Sequence, residues 1–327
     1  MEIVLNLLLL IACFAILIKG ADFMVDAASY IAKAAKVPSL IIGLTIVAFG
    51  TSCPEAGVSV VSSLNGANSL SISNVVGSNA FNLLVVIGIS ALLSTIAVEK
   101  DVLKLDYPIC LFASVLMVIF CFDNYFSRLE GAILVVLIVL YVSYLVYRAR
   151  KNKAAIEAAE AENSTGPVIY SKRRIVLRIG IIILCIGAIY LSSQGIVHSC
   201  SFFAKLFGVS DTIIGLTIVA LGTSLPELVT SLVAYKKGEN SIAIGNIVGS
   251  NLYNILFVLG LAGTISPLSL TKENLVDSGI CLVITLVCYI IFLTKGKVGK
   301  AEGVFMLGMY VLYMVYAFLR EFEMLPF

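Results

Sequence analysis

A stretch of thirteen residues occurs twice in this chain with almost no change. Residues 43–55 read GLTIVAFGTSCPE and residues 215–227 read GLTIVALGTSLPE, so only Phe49/Leu221 and Cys53/Leu225 differ. The offset of 172 continues without a gap to SNVVGSNAFN at 73–82 and GNIVGSNLYN at 245–254. The best-kept part of the duplication is polar, although it sits between apolar runs. Packing alone does not require that. A proline in a helix interior has no N–H for the carbonyl four residues back, and its ring crowds that carbonyl. Pro54 and Pro226 therefore predict helix breaks near Gly50–Cys53 and Gly222–Leu225.

The surroundings decide what sort of chain carries these breaks. Of 327 residues, 60% are hydrophobic and 13% are charged, and the mean hydropathy is +1.06. Soluble domains average about 45–50% apolar and about 25% charged residues. A globular core cannot hide this much apolar surface, so the sequence predicts an all-α integral membrane protein. The net charge of +2 gives no basic surface for nucleic acid. The eight cysteines all lie in apolar runs without a C-x-x-C pair, which predicts packing thiols and neither a disulfide framework nor a zinc site. The chain starts Met1-Glu2 with no basic leader, as expected of a first spanning helix.

A spanning helix needs about 20 apolar residues. Ten such segments are predicted, at 3–32, 39–64, 70–93, 106–123, 129–148, 175–204, 211–235, 241–264, 276–294 and 302–320. Helices 2 and 7 are the broken ones. The polar segment 149–174 reads as a linker, with a short surface helix in its Ala/Glu-rich middle. Of the 22 Lys and Arg, 17 then fall on one side of the membrane. Only Arg128, Lys205, Lys272 and Arg320 fall on the other, and Lys19 lies within the first span. By the positive-inside rule the central loop is cytoplasmic and both termini lie outside.

This divides the chain into a first five-helix unit at 1–148 with its motif at 43–82, a cytoplasmic linker at 149–174, and a second five-helix unit at 175–327 with its motif at 215–254. Five is odd, so the second unit is expected to be inverted in the membrane. Inverted repeats with interrupted helices are the pattern of secondary transporters, whose site lies near the midplane where the repeats meet. Broken backbone at that depth must be buried in protein or line a wet cavity.

The breaks expose carbonyls near Ala48 and Ala220, and Thr51, Ser52, Thr223 and Ser224 add hydroxyls. Glu55 and Glu227 begin the second half-helices, where the positive end of the dipole favours a charged carboxylate. Asn74, Ser78 and Asn82 form a stripe at i, i+4 and i+8, repeated by Asn246, Ser250 and Asn254, while Gly77 and Gly249 permit close helix contact. Two carboxylates with neutral oxygens and no histidine select a hard cation, and suit a bare Ca²⁺ or a few Na⁺. The plainer reading is that Ser52-x-x-Glu55 and Ser224-x-x-Glu227 are capping boxes. An acidic residue deep in hydrocarbon costs roughly 2.5–3.5 kcal/mol on insertion scales, which is poor reason to use Glu twice for capping alone.

With these residues in view, the chain resembles the calcium/cation antiporter superfamily, and within it the bacterial and archaeal sodium/calcium exchangers. GLTIVAFGTSCPE with GSNAFN, and GLTIVALGTSLPE with GSNLYN, carry the resemblance. It implies exchange of Ca²⁺ for Na⁺ by alternating access, with both ions as bound cargo and no further cofactor, in a multi-pass protein of the cell membrane. It implies Glu55 and Glu227 as central carboxylates, with Thr51, Ser52, Thr223 and Ser224 around them. Ser78, Asn82, Ser250 and Asn254 would lie on the flanking helices, and Ala48 and Ala220 would offer carbonyls. Some relatives carry Asp at one position matching Asn82 or Asn254. Here both are Asn, so the set holds at most two negative charges, enough for one Ca²⁺ or two Na⁺. Val58 also stands where the second copy has Thr230.

Other readings stay open at this point. Proton-coupled or potassium-coupled exchange fits the same scaffold. An intramembrane enzyme would use the carboxylates as an acid/base pair, and a channel would use them as a charged ring. Asp22, Asp26 and His198, the last at the offset of Asp26, are candidates for an ion pathway or the water interface.

Overall fold

The computed structural model describes residues 1–162, 171–208 and 220–321. Their regular elements are helices and four two-residue strands, joined by short turns. Helix α1 runs Glu2–Ala35 and stops where Lys36 turns left-handed at φ 56°, two residues before Pro38. There the Lys36 and Val37 amides donate to the Lys33 and Ala32 carbonyls, which closes the helix end. Helix α2 (Ser39–Thr51) and helix α3 (Cys53–Leu64) meet at a 46° bend. Then come α4 (Asn68–Leu93), α5 (Val102–Phe120), α6 (Arg128–Glu162) and α7 (Lys172–Leu206). The short α8 (Ala220–Thr223) leads into α9 (Leu225–Lys236), followed by α10 (Asn240–Ile265), α11 (Lys272–Lys295) and α12 (Lys300–Glu321).

Among the described residues, eight helices are long and apolar enough to cross a membrane, and the bent pair α2–α3 makes up to nine. The expected span at 211–235 is described only from residue 220, where α8 and α9 lie. One expectation is corrected. The Ala/Glu-rich residues after 149 do not form a separate surface helix, because α6 continues through Glu162. Lys, Ala and Glu are good helix formers, and nothing between 149 and 162 interrupts them.

Burial orders the helices. The α4 and α10 spans are the most enclosed, whereas α1, α7 and α12 present most of their length to the surroundings. Two apolar cores result. The larger gathers α4, α5, α6, α10, α11 and α12. The smaller joins α1 to α7 and takes in Ile42, Val47, Ala234, Ile242 and Ala243. The eight cysteines are free thiols, and six of them are buried in this packing.

Helix α2 lies hard against α10. A Cβ on Gly43 would come within 2.7 Å of the Ile242 carbonyl, and one on Gly245 within 2.7 Å of the Leu40 carbonyl. At Gly249 it would meet the Ala48 Cβ at 2.7 Å, as the small-residue reading expects. By the offset of 172, the partners of Gly77 would be Leu216 and Ala220, and Leu216 lies outside the described residues.

The strands link the two halves of the chain. Strand β1 (Ile96–Ala97) pairs antiparallel with β4 (Lys297–Val298), and β2 (Tyr125–Phe126) pairs with β3 (Leu268–Ser269). By the offset, β3 matches β1 and β4 matches β2, so each strand pairs with the copy of the other.

Candidate functional site

Both breaks fall at a serine. Ser52 has φ −82° and ψ 4°, and Ser224 has φ −93° and ψ 4°, outside the helical geometry on either side. Pro54 and Pro226 sit in the first turn of α3 and α9, where a missing N–H costs nothing. In a capping box each serine hydroxyl would accept from its own helix. Neither does. Ser52 Oγ donates to Glu227 Oε1 at 3.3 Å, and Ser224 Oγ donates to Glu55 Oε1 at 3.1 Å. The serine at each break therefore holds the carboxylate of the other copy, and capping does not account for the pair.

The crossing continues outward. Thr51 Oγ1 donates to Asn246 Oδ1 at 3.0 Å, and Thr223 Oγ1 donates to Asn74 Oδ1 at 3.5 Å. Thr51 Oγ1 also lies 3.2 Å from Ser250 Oγ. Ser78 Oγ donates to Glu55 Oε1 at 3.3 Å and accepts from Ser224 at 2.9 Å. Asn74 Nδ2 donates to the Glu55 carbonyl at 3.2 Å and to Ser59 Oγ at 2.9 Å. Asn246 Nδ2 does the same for the Glu227 carbonyl at 3.5 Å and Ser231 Oγ at 3.1 Å.

The set is closed off from solvent. Thr51, Ser52, Glu55, Ser78, Asn82, Thr223, Ser224, Glu227, Ser250 and Asn254 are each at most 2% exposed. Within it, Glu55 Oε2, Glu227 Oε2, Asn82 Oδ1 and Asn254 Oδ1 have no hydrogen-bond partner among the described residues. A buried polar atom left unpaired costs about 1–3 kcal/mol, and more when it is charged. Four such atoms, all oxygens and at matched positions of the two copies, make a set that a bound cation would satisfy.

Ten of the twelve expected ligand residues are thus buried and hydrogen-bonded, eight of them around the two carboxylates and Asn82 and Asn254 in an amide cluster with Asn251 and Asn79. The expected exposure of the Ala48 carbonyl is corrected, because it keeps its helical partner in the Ser52 amide at 3.0 Å and also accepts from Thr51 Oγ1 at 3.3 Å. Ala220 opens α8, and its side chain lies outside the described set. Asn74 and Asn246 act as braces: their NH₂ groups donate to the Glu55 and Glu227 carbonyls, and their oxygens accept from Thr223 and Thr51.

Four residues were not expected. Ser59 and Ser231 support the braces, and Asn79 and Asn251 bond the site amides. Asn82 Nδ2 donates to Asn251 Oδ1 at 3.2 Å, and Asn254 Nδ2 donates to Asn79 Oδ1 at 3.1 Å. The sequence held a signal for them. Ser59/Ser231 and Asn79/Asn251 are identical at the offset of 172, as polar residues in apolar company.

Asp22 and Asp26 are not in the network. They pair with Lys237 Nζ at 2.8 and 2.7 Å, which ties α1 to the turn after α9. Partial burial opposes the Lys237 charge, but Asp22 and Asp26 outweigh it and hold the ammonium above its ordinary range. His198 is exposed.

The sodium/calcium exchanger protein family matches residues 5–149 and 177–319, most of the chain. This protein belongs to the sodium/calcium exchanger family. It is 36% identical to the sodium/calcium exchanger MaX1 of Methanosarcina acetivorans, over 97% of this chain and 99% of that protein. It is 32% identical to the inner membrane protein YrbG of Escherichia coli, over 94% of each. A structure of the sodium-calcium exchanger NCX_Mj, soaked with Na⁺ and Sr²⁺, superposes with a TM-score of 0.81 at 27% identity, over 95% of this chain and 98% of that one. This protein is thus a multi-pass membrane protein of a family of transporters, and the enzyme reading is set aside.

Proposed function

We propose that this protein is a secondary antiporter that exchanges Ca²⁺ for Na⁺ by alternating access, with both ions as cargo at the crossed network of Glu55 and Glu227. One observation carries the reading. The two carboxylates, each held by the serine of the other copy, leave one buried oxygen each unpaired, and the amides of Asn82 and Asn254 leave one more each. Two negative charges are neutralised by one Ca²⁺ or by two Na⁺, so the cargoes compete for one set of oxygens. Competition for a single closed site is the requirement for exchange. Thr51, Ser52, Ser78, Asn82, Thr223, Ser224, Ser250 and Asn254 complete the proposed ligand set, with the carbonyls of Ala48 and Ala220.

The membrane layout belongs to the same proposal. It comprises ten spans, with two inverted five-helix units at 1–148 and 175–327 joined by a cytoplasmic linker at 149–174, in the cell membrane with both termini outside. The exchanged strand pairs and the crossed Ser–Glu bonds support it, because each is what a twofold relation between the copies would produce.

The test is ⁴⁵Ca²⁺ uptake into proteoliposomes loaded with Na⁺, with K⁺, or with a proton gradient. Uptake driven by the outward Na⁺ gradient alone is expected. Uptake driven by the proton gradient alone would keep the carboxylate site and overturn sodium coupling. Normal uptake by both Glu55→Gln and Glu227→Gln would overturn the site.

A further inference from the structure

A cation meets a carboxylate and a carboxamide differently. Both terminal atoms of Glu55 and Glu227 are oxygens, so either can face an ion. Asn82 and Asn254 each end in one oxygen and one NH₂ group of nearly the same size. Turned one way the amide attracts a cation, and turned the other way it presents two positively polarised hydrogens. In a site with only two carboxylates, the direction of these two amides matters to binding.

Hydrogen bonds fix that direction for Asn254 through a backbone carbonyl, and set it for Asn82 through Asn251. The chain of reasoning starts at a group that can only accept. Asn79 Nδ2 donates to the backbone carbonyl of Asn251 at 3.3 Å. The carbonyl has no proton to give, so Asn79 cannot be reversed without losing this bond. Its Oδ1 is then the end that meets Asn254, and it accepts from Asn254 Nδ2 at 3.1 Å. With its NH₂ engaged there, Asn254 must turn Oδ1 the other way, where it is buried and unpaired. On the opposite side Asn251 Oδ1 accepts from Asn82 Nδ2 at 3.2 Å, and Asn82 Oδ1 is likewise buried and unpaired. Each orienting residue lies on the other copy's inner helix, Asn79 on α4 and Asn251 on α10. Asn82 and Tyr253 each open a π-helical turn, so the site amides sit where the helices leave regular geometry.

We propose that Asn79 and Asn251 are positioning residues, which do not touch the ion but hold the amide oxygens of Asn254 and Asn82 toward it. The inference rests on the reading that this network binds the cargo cation. It predicts an inequality as well. Asn79 is anchored by a backbone carbonyl, whereas Asn251 Nδ2 has no partner among the described residues. Loss of Asn79 should therefore weaken binding at least as much as loss of Asn251.

The experiment is Ca²⁺ binding to the purified full-length protein in detergent, read by calorimetry, so that it does not depend on the coupling ion. Asn79→Ala is compared in two backgrounds, wild type and Asn254→Asp. In the first background the Ca²⁺ dissociation constant should rise about tenfold, the worth of one orienting hydrogen bond. In the second, residue 254 ends in two oxygens and needs no orientation, and Asn79 Oδ1 would face one of them with no proton between, so Asn79→Ala should not weaken binding there. Asn251→Ala tested against Asn82→Asp forms an independent second pair, which decides the matter if Asn79→Ala does not fold. An equal loss in both backgrounds would show a packing role and overturn the proposal. No loss in either would overturn it too. If the wild-type protein binds no Ca²⁺, the shared premise fails and the inference with it. If it binds Ca²⁺ but transports with protons, only the sodium coupling of the antiporter falls.

Discussion

Glu55 and Glu227 have nearly interchangeable surroundings. Each accepts from the break serine of the other copy, each has its carbonyl braced by an Asn–Ser pair, and each leaves one oxygen unpaired. The outer frame does not match in this way. Ser193 on α7 donates to the Gly222 carbonyl at 2.5 Å, which is the carbonyl that Pro226 leaves without its helical partner. The residue at the same offset on α1 is Ala21, which has no hydroxyl to give. Asp22 and Asp26 on α1 pair with Lys237, whereas the corresponding residues are Gln194, His198 and Asn65. An ion site that serves both faces of a membrane gains from symmetry. In the proposed alternating-access cycle the frame does not, because any unmatched contact would shift the balance between the two access states by its difference in free energy.

The strongest test of the matched part is to break one carboxylate at a time. Glu55→Gln and Glu227→Gln should each reduce Na⁺-driven ⁴⁵Ca²⁺ uptake by about 100-fold or more, in keeping with the roughly 3–5 kcal/mol lost when one partner of a buried charge pair is removed. The two losses should be similar. A tenfold difference between them would mean that the copies share geometry but not work.

The frame is probed next by Ser193→Ala. It removes the hydroxyl from the Gly222 carbonyl and should lower stability by about 1 kcal/mol, or more if that carbonyl stays unpaired. Thermal melting in detergent reads this directly. Ala21→Ser, the reciprocal change, should not raise the melting temperature by a like amount unless Gly50 can be reached from α1. Equal and opposite shifts would show that the frame, too, is symmetric.

Lys237→Met comes third. Exposed ion pairs contribute about 0–1 kcal/mol each and are screened by salt. Transport rate should therefore change only severalfold, and the difference from wild type should shrink as ionic strength rises. The direction of the Lys237 shift fixes the pH dependence. Its raised value means that the tie is at full strength at neutral pH and is lost only as pH climbs through that value. A wild-type rate that depends on salt as weakly as the variant's would remove the tie from the mechanism.

These contrasts also divide what the sequence makes legible from what it hides. Pro54 and Pro226 locate the breaks because a missing N–H is a local fact. The carboxylates and hydroxyls are legible because polar residues are duplicated in an apolar setting. That Ser52 serves Glu227 and not its own helix is not legible, since the capping spacing is satisfied either way. Asn79 escapes a stripe counted at i, i+4 and i+8, because it falls one position from Ser78, about a quarter-turn around the helix. The four-residue spacing of Asp22 and Asp26 places them on one face of α1, but Lys237 lies more than 200 positions away in the chain. The α6 extension follows from propensity once no breaker intervenes, yet the same composition also suits a short helix on its own.

The smallest predicted effect bears on a mismatch near the carboxylates that adds or removes an oxygen. Thr230 is fully buried, three residues after Glu227, and its Oγ1 has no partner among the described residues. Val58 holds the equivalent place after Glu55, is half-buried, and has no oxygen. On the proposed reading a neutral hydroxyl adds little for Ca²⁺, whose charge the two carboxylates would already balance. It matters more for Na⁺, where two ions share those charges and each relies more on neutral oxygens. Val58→Thr should therefore shift half-saturation by Na⁺ by no more than about threefold, within the roughly 0.5–1.5 kcal/mol of a single polar contact. Half-saturation by Ca²⁺ should stay unchanged in the same vesicles. If Ca²⁺ moves and Na⁺ does not, the hydroxyl at this position belongs to the divalent cargo, and the asymmetry between Val58 and Thr230 lies within the site and not beside it.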